Sequence, residues 1–158
     1  MTHASLCTGI ASAKYGFGAY NDLYKKYVAF GFTLTGHDEL EPNASTNAER
    51  IAAMKKLYDA GFKTWASIEP VIDFNSSEEM ISKTRDFCDL YKIGLKSDKK
   101  YNQWETKNFI NHISSLVSPK RNKIIKIYFK DSLLKVAGIN REDLPKNCVG
   151  RDYDIFSN

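Results

Sequence analysis

The feature that most constrains this chain is an alternation. Short apolar, β-branched runs take turns with capped amphipathic segments at nearly even spacing. Residues 27–35 (YVAFGFTLT) read as a buried strand. A loop containing Gly36 and Pro42 follows. Thr46 and Glu49 then stand in capping-box spacing, and Ile51, Met54, Leu57 and Tyr58 recur at helical intervals until Gly61 closes the helix. Residues 63–72 form a second strand. Ser76 and Glu79 repeat the capping-box spacing ahead of a helix carrying Met80, Thr84 and Phe87. Residues 89–95 form a third strand. Trp104, Phe109, Ile113 and Leu116 lie on a third helix that Pro119 terminates. Residues 123–129 form a fourth strand, and Asp131 caps a short helix over 132–136 that ends at Gly138.

Strand centres near Phe32, Ser67, Ile93 and Ile125 are separated by 35, 26 and 32 residues. That spacing suits βα units of ~30 residues. The expected fold is α/β: an open parallel sheet of about four βα units with right-handed crossovers, equivalent to a partial TIM-type barrel. Residues 27–139 carry it. Residues 1–26 are expected to be irregular or short-helical, with a short helix at 20–27, and residues 140–158 an irregular tail. Four units do not close a barrel, so two sheet edges need cover. A homo-oligomer, a missing N-terminal half, or residues 1–26 folded over one edge would provide it.

At 158 residues the chain has room for one domain, and with 42% hydrophobic residues it can build a core. No apolar run approaches the ~20 residues of a membrane span, and the N-terminus lacks the pattern of a secretory signal. Cys7, Cys88 and Cys148 are odd in number and far apart. This argues against a disulfide scaffold or a local zinc site and for a reducing, cytoplasmic setting. Cys88 is expected to be packed. Charge is uneven. Residues 96–130 hold nine Lys/Arg against two acids, a local +7 within a net +4. Such a stripe can meet nucleic acid or another polyanion, or it can be a solvated face.

In parallel α/β folds ligands bind at the carboxyl ends of strands. Those ends present Thr33 and Thr35, then Ser67 and Glu69, then Lys92, Gly94 and Lys96. His37, Asp38, Glu39 and Glu41 follow the first strand and read as a solvated acidic loop more readily than as a metal site. His3 and His112 carry no motif. There is no Walker loop and no nucleophile elbow, and GFGAY at 16–20 is no dinucleotide fingerprint.

The stretch FGFTLTGHDELEPNASTNAERIAAMKKLYDAGFKTWASIEPVI, continued by FCDLYKIGL, resembles the second half of the radical S-adenosylmethionine fold, most closely its spore photoproduct lyase-like branch. The order and spacing of the pieces carry the resemblance, over about two-thirds of the chain. It implies a partial barrel whose parent family holds a [4Fe-4S] cluster on a CxxxCxxC loop and binds S-adenosylmethionine at the open iron. No CxxxCxxC occurs here. The resemblance therefore implies a C-terminal half, as a truncation, a split-gene product or an excised domain. Such a half contributes part of the cofactor pocket and is inactive alone.

Residue by residue, it implies that Thr33 lies near the methionyl or ribose part, with Thr35 beside it on the rim. Arg50 would face the methionyl carboxylate, and Glu69 the ribose. Lys92 and Gly94 would lie near adenine, with the Lys92 side chain toward solvent or an acid. The alternative is a non-catalytic α/β binding module using the basic segment between Lys96 and Lys130.

Overall fold

The computed structural model describes residues 4–7, 24–117 and 124–157. Five parallel strands form one sheet in strictly sequential order. They are β1 (Ala4–Cys7), β2 (Val28–Thr33), β3 (Lys63–Val71), β4 (Leu90–Leu95) and β5 (Lys126–Phe129). Among the described residues four α-helices alternate with them: α1 (Asn47–Asp59), α2 (Phe74–Thr84), α3 (Gln103–Leu116) and α4 (Asp131–Ala137). The α/β class and the parallel sheet are as the alternation indicates. The sheet has one strand more than the four read from sequence. Ala4–Cys7 pairs with β2 in the register Ala4↔Val28 to Cys7↔Gly31, so four residues of the segment expected to be irregular are a strand. The sequence ASLC is too short to show a period, and its pairing partner supplies the order. Pro119, the start of the fourth strand at Lys123, the GFGAY stretch, His3 and most of the expected helix at 20–27 lie outside the described residues.

The sequential order follows from the crossovers. From β2 onward each described βα unit turns the same way, so the four described helices land on the same face of the sheet. That face is apolar. Phe30 and Phe32 of β2, Ala66 and Ile68 of β3, Tyr91 and Ile93 of β4, and Ile127 and Phe129 of β5 form one core with Met54 and Leu57 of α1, Met80 and Ile81 of α2, Phe109, Ile110 and Ile113 of α3, and Leu133 and Leu134 of α4. Because side chains alternate along a strand, the intervening residues face the other way.

Local chemistry sets the helix ends. Thr46 and Glu49 make the full capping box on α1. Gly61 follows that helix at φ 91° and Gly138 ends α4 at φ 66°, the left-handed conformation a glycine adopts without strain. Two capping expectations change. Asp73, not Ser76, caps α2: its carboxylate accepts the Ser76 backbone N–H at 2.7 Å, which makes Ser76 the acceptor's target inside the helix. Lys130 occupies the cap position of α4, with Asp131 already in its first turn and paired to Arg141 at 2.5 Å. Asn102 caps α3. Trp104, expected on the buried stripe, is 71% exposed, because two residues after the cap it lies outside the arc that Phe109, Ile110 and Ile113 turn inward.

The tail from Asn140 has a 3-10 turn at Arg141–Asp143, then runs beside β5. Ile127 donates its N–H to Asn147 O at 3.0 Å and accepts from Val149 N–H at 2.8 Å. These bonds satisfy backbone groups that a bare edge would leave open. Val149, Tyr153, Ile155 and Phe156 then pack across the helix-free face on Ala29, Trp65, Leu90 and Tyr128.

Candidate functional site

The helix-free face divides along the strands. Its amino-terminal half is the apolar patch under the tail. Its carboxyl half is polar. Strand register puts Thr33 beside Ser67, Ser67 beside Lys92, and Lys92 beside Tyr128, one row across four strands. The row below runs Gly31, Trp65, Leu90, Lys126. Above it lie Glu69, Gly94 and Lys130, past a register shift between Ile68 and Val71 where Pro70 has no N–H to give the ladder.

Two glycines keep this face open to large neighbours. A Cβ on Gly31 would sit 2.2 Å from the Trp65 indole, so the ring lies flat across β2 only because Gly31 has no side chain. A Cβ on Gly94 would come within 2.8 Å of Lys130 and 2.9 Å of Glu69. Those two residues form an ion pair over β4, Nζ to Oε1 at 2.5 Å. Lys92 meets no acid among the described residues: its ammonium stands over the Trp65 ring, 4.4 Å from the centroid. The Thr33 and Ser67 hydroxyls have no hydrogen-bond partner among the described residues, although both residues are half-buried. An unpaired polar group at that depth favours a ligand that can pair with it.

The remaining expected site residues are tied into the rim. Arg50, 12% exposed, donates from Nη1 to the Thr33 carbonyl at 3.0 Å and pairs through Nη2 with Glu41 at 2.6 Å. Its guanidinium fixes the start of α1 to the end of β2. The Thr35 hydroxyl accepts the His37 backbone N–H at 3.2 Å, which shapes the loop. Asp38 accepts the Asn47 backbone and side-chain N–H groups, both at 2.6 Å. The loop acids therefore diverge into separate roles. Among the described residues no three His, Cys, Asp or Glu side chains are placed to hold a metal ion.

His37 has a sharper arrangement than the sequence indicates. Its Nδ1 meets Glu39 at 2.7 Å, and its Nε2 meets Asp73 at 2.6 Å and the Ser76 hydroxyl at 3.1 Å. The Glu39 hydrogen bond, then the one to Asp73, raises the His37 pKa above 6.5 against a smaller opposing effect of burial. Glu39 is lowered in return, first by the His37 bond. At Asp73 burial pushes upward, but the Ser76 N–H, His37 and the Ser76 hydroxyl outweigh it and the pKa falls. With a carboxylate on each nitrogen, His37 pins the β2–α1 loop to the start of α2.

The cations between Lys96 and Lys130 do not share one surface. Lys96 pairs with Asp98 at 3.2 Å, and Lys99 donates to the Ile72 carbonyl. Lys107 is on α3 in the helix layer, while Lys126 and Lys130 alternate with apolar Ile127 and Phe129 on the opposite face of the sheet. Lys120, Arg121 and Lys123 lie outside the described residues. Cys88 is buried and donates to Leu90 O at 3.2 Å; Cys148 is half-buried in the tail. Two surface cavities, about 570 and 480 Å³, lie on the helix side, one between α1 and α2 and one beside α3 and Gly138. Neither includes the polar row, which is the better candidate because its groups converge from four strands at their carboxyl ends.

Trp65, Ser67 and Tyr128 belong to this site through strand parity. Counting by twos from Thr33, Glu69 or Lys92 marks one face of each strand, but only the register shows which of those residues stand side by side.

No protein-family model matches the chain, and no solved structure matches it significantly. It is similar to a curated relative, the uncharacterized protein MJ0683 of the archaeon Methanocaldococcus jannaschii, at 30% identity over 99 residues. The match covers 56% of this chain and 38% of that protein. The chain thus spans about two-fifths of the length of the relative it matches. No helix among the described residues is long and apolar enough to cross a membrane.

Proposed function

We propose that this chain supplies consecutive βα units of a larger (β/α) barrel of the radical S-adenosylmethionine type. In this reading the helix-free face is the barrel interior, and Thr33 and Ser67 at its rim hold polar groups of the cofactor. The observation that carries the reading is the strictly sequential order of parallel strands. A doubly wound sheet reverses at a switch point and buries both faces under helices. Here the order never reverses, the helices stay on one side, and the other side turns polar toward the strand ends, as a barrel interior does beneath its loops. The resemblance over residues 30–95 supports the same parentage.

The residues present fit part of that cofactor and not its cluster. Two adjacent unpaired hydroxyls suit a ribose or carboxylate oxygen. Arg50 is committed to Glu41 and to the Thr33 carbonyl, so its role is to position the end of β2. Glu69 is paired to Lys130 through one oxygen. Cys88 and Cys148 lie apart, one buried beside β4 and one in the tail, and no thiolate set for a [4Fe-4S] cluster exists among the described residues. Bound S-adenosylmethionine supplies a carbon–sulfur bond for reductive cleavage. This segment binds and orients it, and the electron must come from ligands elsewhere.

The test is a backbone-amide NMR titration with S-adenosylmethionine. A half-site gives shifts clustered at Thr33, Ser67 and Gly94, with a Kd weaker than about 100 μM, or roughly 5.5 kcal/mol of binding. No shifts at about 10 mM ligand, or shifts confined to the helix layer, would sink the reading. A Kd tighter than about 1 μM would mean a self-sufficient binder and defeat the half-site argument.

A further inference from the structure

We infer that the β4–β5 half of the helix-free face is a binding site for a phosphate group, built from Lys92, Lys126, Ser67 and the Tyr128 hydroxyl. The inference shares Ser67 with the cofactor reading, which otherwise concerns the β2–β3 rim, and rests on two lysines that reading does not use. It starts from two lysines whose ammonium groups have no carboxylate or carbonyl partner among the described residues. Lys92 stands over Trp65 at 4.4 Å, and Lys126 stands over Tyr153 at 5.8 Å. Both are half-buried. An aromatic face steadies a cation but leaves N–H donors unused.

Register brings the two together. Lys92 pairs with Tyr128 and Leu90 with Lys126, so the lysines are diagonal neighbours on adjacent strands and on the same face. A strand spacing of ~4.8 Å and a rise of ~3.3 Å per residue put their α-carbons about 8 Å apart. Two lysine side chains span that gap easily, and both can reach one tetrahedral anion. Ser67 lies next to Lys92 on β3 and Tyr128 next to it on β5. Neither hydroxyl has a hydrogen-bond partner among the described residues, so each can donate to a phosphate oxygen. Arg141, whose guanidinium carbon stands 5.2 Å from the centre of the Tyr128 ring, adds positive potential from the tail side. Glu69, on the same face, is already paired with Lys130. Two acceptor-free cations favour a doubly charged oxyanion over a single carboxylate.

The experiment is an NMR titration of the full chain with sodium pyrophosphate and, separately, with a 5′-phosphorylated dinucleotide, at matched ionic strength. Shifts are expected at Ser67, Lys92, Lys126 and Tyr128. Lys92→Met and Lys126→Met should each weaken binding by about tenfold, the loss of one charge-assisted contact, while Lys92→Arg retains it. Lys92→Met keeps an apolar stem on Trp65. Should it still fail to fold, Lys126→Met, whose residue is half-exposed, carries the test. Equal affinity for the two probes assigns a free phosphate, and tighter dinucleotide binding assigns a nucleotide-borne one. Absence of saturable shifts with either probe, or Kd values within about twofold of wild type in both methionine variants, overturns the inference. Loss of S-adenosylmethionine shifts at Thr33 and Gly94 with pyrophosphate shifts intact would defeat only the cofactor reading.

Discussion

Gly31→Ala should be far more damaging than a one-carbon change in a strand ordinarily is. The new Cβ would sit 2.2 Å from Trp65 Cε2, 2.3 Å from Cζ2 and 2.7 Å from Nε1. All three atoms belong to a rigid bicyclic ring, so no terminal rotation relieves the clash. Either β2 shifts against β3, or the indole leaves the face. Overpacking with the ring retained costs about 1–3 kcal/mol. Expulsion exposes an indole that buries ~150–250 Å², an upper bound of about 4–6 kcal/mol at ~25 cal/mol per Å². The expected loss is therefore about 2–5 kcal/mol, or roughly 5–15 °C in Tm for a domain of this size. Gly94→Ala is the control. Its Cβ would meet Lys130 Cδ at 2.8 Å and Glu69 Oε1 at 2.9 Å, the ends of flexible side chains that can swing aside, so the loss should stay below about 1 kcal/mol. Urea unfolding in a Trp104→Phe background isolates Trp65 fluorescence, since Trp104 is the exposed tryptophan. A Gly31→Ala protein within about 0.5 kcal/mol of wild type, with unshifted Trp65 emission, would show that the indole does not lie across β2.

Two further outcomes follow from the rim. The folded-state pKa of His37 is raised, so its contribution to stability is fully present below pH 6.5 and is lost as pH rises through the folded value. NMR titration of the ring should give a midpoint above 6.5 that falls in Asp73→Asn; a midpoint at or below 6.5 would refute the pin. Arg50→Ala removes a buried donor from the Thr33 carbonyl and strands Glu41, for an expected loss of about 1–3 kcal/mol in thermal or chemical unfolding. If Glu41→Gln and Arg50→Ala cost the same alone and together add in full, the two residues are not coupled and the pairing is wrong.

Much of the layer plan was legible because it is written in local chemistry. Ile51, Met54 and Leu57 recur at helical spacing, and Thr46 with Glu49 closes a cap that needs no distant partner. The apolar runs at 28–33 and 90–95 could hardly be anything but strands buried on the helix side. Where local signals competed, the tertiary neighbour decided. Ser76 looked like a cap, but Asp73 three residues earlier takes that position and is held there by His37 from the β2–α1 loop. Arg50 and Glu69, expected to face the cofactor, are instead held by ion-pair partners, Glu41 and Lys130.

The sequence by itself determined the α/β class, the parallel sheet, the capping box that starts α1 and the strand ends at which polar residues collect. These depend on spacing within about ten residues, a scale at which hydrogen bonds and apolar periodicity act directly. Only the tertiary structure decided which polar residues meet. Register, set by packing across four strands, brings Thr33, Ser67, Lys92 and Tyr128 into one row though they span almost a hundred positions. The described cations between Lys96 and Lys130 are likewise divided by the elements that carry them, Lys107 on α3 in the helix layer and Lys126 on the helix-free side of β5. A run of charge along a sequence is not a patch in space, and a site made by register has no local signature.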